Sequence, residues 1–117
     1  PSLAGLIARA DISIGAVGCT TWERACLGLS SIVIPCAENQ LEVSSALAQK
    51  KLIELVERKH KRIEEDISRA INLFAESEYI YNASLRCSSL TRGQGTQICS
   101  KLLLQSSNQR YLREQLL

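Results

Sequence analysis

Ala10-Asp11-Ile12-Ser13-Ile14-Gly15-Ala16-Val17-Gly18-Cys19-Thr20-Thr21-Trp22-Glu23-Arg24 is the stretch on which the fold turns. Asp11 to Ile14 is short and rich in β-branched residues, which suits a strand better than a helix. Gly15 and Gly18 follow at once, then the hydroxyls of Thr20 and Thr21, then Trp22-Glu23-Arg24. That order is strand, tight turn and helix opening, with Thr20 or Thr21 available as an N-cap. The first N–H groups of a helix have no partner within it, so such an opening is a ready place for a phosphate. Glu23, one turn in, offers a carboxylate to the hydroxyls of a ribose. The Gly15-x-x-Gly18 spacing is not the G-x-G-x-x-G dinucleotide signature, and a plain β-to-α turn explains it equally well.

Outward from this stretch the pattern keeps alternating between strand and helix. Residues 3–10 have helical spacing, with Leu3, Leu6, Ile7 and Ala10 on one side. The helix that opens near Thr20 is expected to end near Leu27, where Gly28 can take the left-handed cap conformation. Ser31-Ile32-Val33-Ile34 is an apolar run without alternation, stopped by Pro35, as in a parallel strand covered on both faces. Strand, helix and strand within about 25 residues make a βαβ unit.

The next helix begins near Glu38 and carries Leu41, Val43, Ala46, Leu47 and Ala48, with Lys50-Lys51 at its negative end. Leu52 to Val56 either prolongs it or forms a third strand at the sheet edge. Its length and β-branched content favour the strand. Residues 61–76 give the clearest helix, with Ile63, Ile67, Ala70, Ile71 and Phe74 in one stripe. A further helix is expected over 78–88. Thr91 to Thr96 is a turn, and Thr96 can cap a final helix reaching Leu104. The expected class is therefore α/β: a Rossmann-like three-layer fragment with a short parallel sheet of about three strands and several helices. Residues 1–104 form one domain and 105–117 a polar, helical tail.

Composition narrows the classes further. The 117 residues suffice for one core. Fourteen basic and twelve acidic residues leave a net charge of +2, so electrostatics give no reason to expect nucleic acid as a partner. No apolar run is long enough to span a bilayer and no signal peptide is evident, which points to a cytoplasmic chain. The chain holds no Met and opens at Pro1 inside an amphipathic pattern, as expected of a fragment.

Its five cysteines are an odd number with irregular spacing, and with a single histidine they suggest free thiols rather than a metal site. Cys26, Cys36 and Cys99 have apolar neighbours and read as small core residues. Cys19, at a helix opening, could be an activated nucleophile, but no base is adjacent in sequence and a packing or phosphate-facing role is preferred. Trp22 reads as a core or interface anchor. Glu23 with Arg24 can also be read as a surface charge pair. His60, inside Arg58-Lys59-His60-Lys61-Arg62, reads as part of a solvated helix entry.

The segment from Gly15 to Ser30, then an apolar strand and Ala37-Glu38-Asn39-Gln40, resembles the C-terminal half of the PseG/SpsG-type nucleotide-sugar hydrolases. These are the UDP-2,4-diacetamido-2,4,6-trideoxy-altropyranose hydrolases of pseudaminic acid synthesis and related spore-coat polysaccharide proteins. The family pattern is a G-A-G-G-[ST]-[ST]-W-E-R loop, a G-L-P turn and a later N-Q. The turn Thr91-Arg92-Gly93-Gln94-Gly95-Thr96 is similar to its late D-G-x-G motif.

That family is similar in turn to MurG-like glycosyltransferases of the two-domain GT-B fold. The resemblance implies that this chain is the UDP-holding C-terminal half, with no cofactor. Gly15, Gly18, Cys19, Thr20 and Thr21 would face the diphosphate, Glu23 the ribose, and Asn39 and Gln40 the sugar or its phosphate. In the family, water attacks the anomeric carbon with inversion, and a histidine of the N-terminal domain activates it. The implied partners are a UDP-sugar and the N-terminal domain of the same protein; an apolar face left by that domain would favour oligomers. The chain alone is expected to be inert.

Three positions depart from the pattern. Val17 stands for a glycine, a change that a left-handed backbone would make costly. Cys19 stands for Ser or Thr, and Ser30 for proline. The alternatives are a MurG-like glycosyltransferase domain and a non-catalytic helical module whose segment 61–117 binds a partner protein.

Overall fold

The computed structural model describes residues 3–59 and 61–115. His60 therefore lies outside the described residues. The helix α1 (Ala4–Ile7) leads into β1 (Ile12–Gly15), α2 (Cys19–Cys26) and β2 (Ser30–Val33). A single 3-10 turn, Glu38–Gln40, precedes α3 (Leu41–Gln49) and β3 (Ile53–Leu55). Three helices complete the chain: α4 (Ile63–Phe74), α5 (Ser77–Leu90) and α6 (Gly95–Gln115). The protein is α/β, with a three-stranded sheet in the order β1-β2-β3 and every pairing parallel.

Pairing register explains how the sheet separates two apolar layers. Ser13 lies beside Ser31 and Ser31 beside Ile53, while Ile14, Ile32 and Glu54 form the next row. Successive residues of a strand face opposite ways. Val33 and Ile53 thus join Ala25 of α2, Leu47 of α3 and the buried Val17 on one face. Ile32 joins Val56, Ala70 and Phe74 on the other, beneath α4. The middle strand is buried at all four positions, as its unalternating sequence predicts.

α5 belongs to both layers. Its first half sends Ala83 and, partly buried, Tyr79 and Ile80 to the Ile32 cluster; its second half sends Cys87 and Leu90 to the Val33 cluster. It makes this crossing at the amino ends of the strands. There the Cys87 thiol donates to the Leu52 carbonyl at 3.2 Å and Arg86 Nε to the Lys51 carbonyl at 2.8 Å. Burial pushes the Cys87 thiol up. Burial, with Glu54 beside it, pushes the Tyr79 hydroxyl up to about 12, and that hydroxyl donates to the Glu54 carboxylate.

Both βα units are closed by the same device. At the end of α2, Leu29 N–H donates to Arg24 O at 2.9 Å and Gly28 N–H to Ala25 O at 2.9 Å, with Gly28 at φ 72°. This is a Schellman closure with glycine in the left-handed position anticipated for it. α3 repeats it with Leu52 N–H to Leu47 O at 3.0 Å and Lys51 N–H to Ala48 O at 2.8 Å. Here the left-handed residue is Lys51, at φ 54°. A side chain in that conformation costs about 1 kcal/mol that glycine avoids. Lys51→Gly is therefore expected to raise stability by about 0.5–1 kcal/mol in urea denaturation, after its larger unfolded-state entropy is counted.

Several sequence expectations are corrected. Cys36 and Cys99 are exposed and Cys26 is half-buried; Cys87 is the cysteine in the core. Leu41 and Val43 are exposed on α3, because Ser44 and Leu47 take its inward face. Ile71 is exposed, at the margin of the α4 stripe. α6 begins at Gly95, so Thr96 lies inside it rather than capping it. The same helix continues unbroken past Leu104 to Gln115.

Candidate functional site

The turn between β1 and α2 sits at the carboxyl edge of the sheet, the edge on which open α/β sheets hold ligands where their strand order reverses; the three described strands run in sequential order, with no reversal among them. Gly15 is the last residue of β1, paired with Val33, and its carbonyl accepts from Ile34 N–H at 3.0 Å. Val17 does not face the turn. It is buried in the core at 6 % exposure and its φ is not positive, so the β-branched residue is packed without left-handed strain. Gly18 has an extended backbone, with φ −177°, and is exposed.

Thr21 closes the turn from inside. Gly18 N–H donates to Thr21 Oγ1 at 3.0 Å, and Thr21 N–H donates to Gly18 O at 3.0 Å. The Thr21 side chain is buried, so its hydroxyl acts as an internal brace and does not face outward toward a diphosphate. Cys19 and Thr20 are exposed, and their N–H groups have no partner among the described residues. They are the donors that α2 leaves open to an anion.

Beneath the turn lies Arg24, 7 % exposed. Its guanidinium donates to Ser13 Oγ at 2.9 Å, Ala16 O at 3.1 Å, Thr21 Oγ1 at 3.1 Å and Thr20 O at 3.2 Å. Ser13 in turn pairs with Ser31 across the strands, Oγ to Oγ, at 2.8 Å. All of Arg24's acceptors are neutral, and burial lowers its pKa from the ordinary arginine value. Arg24 therefore forms no surface pair with Glu23, which is exposed on another side of α2. The inward set Thr21, Arg24 and Ala25 falls at i, i+3 and i+4. Trp22, Ala25 and Cys26 share that spacing and are more apolar, so the sequence does not single out Arg24. The inward turn of Thr21 and Arg24 leaves Trp22 outward, 45 % exposed rather than in the core.

The loop after β2 opens at the same edge. Asn39 is exposed on the 3-10 turn. Gln40 Oε1 accepts from Cys36 N–H at 2.8 Å, and its backbone carbonyl accepts from Ser44 Oγ at 2.7 Å. Arg58, which follows β3, donates from Nη1 to Cys36 O at 3.2 Å and ties this loop to the next. Of the predicted set, Gly18, Cys19, Thr20, Glu23 and Asn39 are exposed, whereas Thr21 and Gln40 brace the loops that present them.

The turn is an open surface. Two clefts lie elsewhere, one of about 320 Å³ between β3 and α4 and one of about 460 Å³ at the amino edge beside Ile7, Leu29 and Tyr81. Among the described residues no three His, Cys, Asp or Glu side chains gather as a metal site would require. No helix among them is long and apolar enough to cross a membrane. In comparisons with protein-family models, curated proteins and solved structures, the chain matches none.

Proposed function

We propose that this chain is the UDP-binding half of a nucleotide-sugar hydrolase that releases UDP and free sugar, acting in surface polysaccharide or flagellin glycan synthesis in the cytoplasm. The observation that carries the reading is the pair of unpartnered amides, Cys19 and Thr20, at the opening of α2 on the carboxyl edge of a parallel sheet. A diphosphate seated there would accept from both N–H groups, and the α2 dipole would favour its charge. As the bond to the sugar breaks, the same donors would stabilise the charge growing on departing UDP. Glu23 on the exposed side of the helix would take the ribose hydroxyls. A second domain would close over the open turn and supply the base that activates water, so this chain alone binds UDP without hydrolysing it.

Gly18 provides the test. A Cβ built on it meets nothing within 4 Å, and its extended backbone suits any residue. Gly18→Ala is thus expected to change stability by less than about 0.5 kcal/mol. The added methyl would intrude where the phosphate approaches, weakening UDP binding about tenfold in calorimetric titration. Equal affinity in variant and wild type would remove the turn from the binding site.

The reading of 61–117 as a partner-binding scaffold has an observation of its own: Ile98, Leu102, Leu103 and Leu104 are exposed on α6. On that reading UDP would leave the turn undisturbed.

A further inference from the structure

The amino-terminal half of α6 buries nothing: residues 92–105 are exposed throughout. Ile98, Leu102 and Leu103 fall at i, i+4 and i+5 and, with Cys99, form one apolar strip along this half. A helix in water draws most of its stability from packing such a strip against something else.

A second apolar surface lies close to where α6 begins. The cleft of about 460 Å³ at the amino edge of the sheet has Ile7, Leu27, Leu29, Ile80 and Tyr81 as its apolar lining. Leu3, one turn before Ile7, and Leu85, one turn after Tyr81, are exposed beside it. Asp11 is the only charged side chain in the lining, and Arg9 stands two residues before it, so the cleft favours neither sign of charge. The α6 strip carries no charge. Gly93, two residues before α6, rests against the end of α2, where a Cβ built on it would stand 2.9 Å from Cys26 Sγ. Cys26 directly precedes Leu27, so the strip and the cleft start from neighbouring points.

Surface area decides what can cover them. Leu3, Leu27, Tyr81, Leu85, Ile98, Leu102 and Leu103 are 50–70 % exposed. One strip laid in one cleft would bury about 750 Å² in total, no more than a crystal contact does. Two such contacts around a twofold axis would bury about 1,500 Å², the size of a stable interface. Only a molecule that offers both a strip and a cleft can double the contact in this way, and a second copy of the chain offers both.

We propose that two copies of this chain pair about a twofold axis, each laying the Ile98–Leu103 strip of α6 into the other's amino-edge cleft. The pairing is independent of the nucleotide reading, since the turn between β1 and α2 lies at the opposite edge of the sheet.

The experiment is sedimentation equilibrium of the chain over a concentration series, beside Ile98→Lys on α6 and Tyr81→Glu in the cleft. Both side chains are exposed on helices, so each variant keeps the fold. The wild type is expected to reach twice the mass of one chain, and each variant to associate at least about tenfold more weakly. An equimolar mixture of the two variants should regain the dimer. It contains one unaltered strip in one unaltered cleft, and its other contact sets an introduced ammonium near an introduced carboxylate. A monomer at every concentration would overturn the proposal. So would a dimer untouched by Tyr81→Glu, as two α6 helices paired only with each other would give, or a mixture no heavier than either variant alone.

Discussion

Arg24→Ala is expected to lower the free energy of unfolding by about 3 kcal/mol in urea denaturation at neutral pH. The guanidinium holds β1 through Ser13, the turn through Ala16, and the first turn of α2 through Thr20 and Thr21. Charge-assisted bonds contribute about 1.5–3 kcal/mol each, but burying a cation among neutral acceptors costs several kcal/mol, so the net falls well below their sum. The variant also leaves the Ala16 and Thr20 carbonyls short of a donor beneath the turn. Arg24→Lys should recover little, because an ammonium cannot reach acceptors spread across the guanidinium's planar fork. A variant as stable as the wild type would show that the network contributes nothing net.

Gly28→Val should be nearly as damaging, about 3 kcal/mol, lowering the melting temperature by roughly 10 °C for a chain of this size. Two causes act together. The left-handed φ of 72° is strained for a β-branched residue. In addition, a Cβ at this position lies 2.9 Å from Ser84 Oγ and 3.5 Å from the Ser84 carbonyl, so the Ser84 hydroxyl would have to turn aside and the two γ-methyls would crowd α5. The contrast with Gly18→Ala is informative, since one glycine serves the packing of two helices and the other leaves open space. Unchanged melting of Gly28→Val would show that α5 does not rest on this contact.

The features legible in the sequence were those set by short-range physics. The unalternating Ser31 to Ile34 announced a central parallel strand, and Gly28 announced the closure of α2. Leu52 to Val56 was ambiguous in pattern, and the left-handed Lys51 resolves it by ending α3 before β3. Features fixed by long-range packing were not legible. Cys87 enters the core because α5 crosses the sheet's amino edge, a placement that local apolar neighbours cannot announce. Val17 looked like a costly replacement for glycine, yet the turn directs its side chain into the core.

At the candidate site, residue types alone could not separate exposed groups from braces. Thr20 and Thr21 are identical in chemistry and adjacent in sequence. The helical turn exposes one and commits the other to Gly18 and Arg24. Gln40 likewise commits its side-chain oxygen to the Cys36 amide, while its neighbour Asn39 is exposed.

The most direct test is a ¹⁵N–¹H titration of the chain with UDP, run beside uridine. The account predicts that UDP moves the Cys19 and Thr20 amides more than any others, with smaller shifts at Glu23, and that uridine without its phosphates leaves Cys19 and Thr20 in place. An undisturbed turn, or UDP shifts gathered instead at the amino-edge cleft around Ile7 and Tyr81, would contradict it.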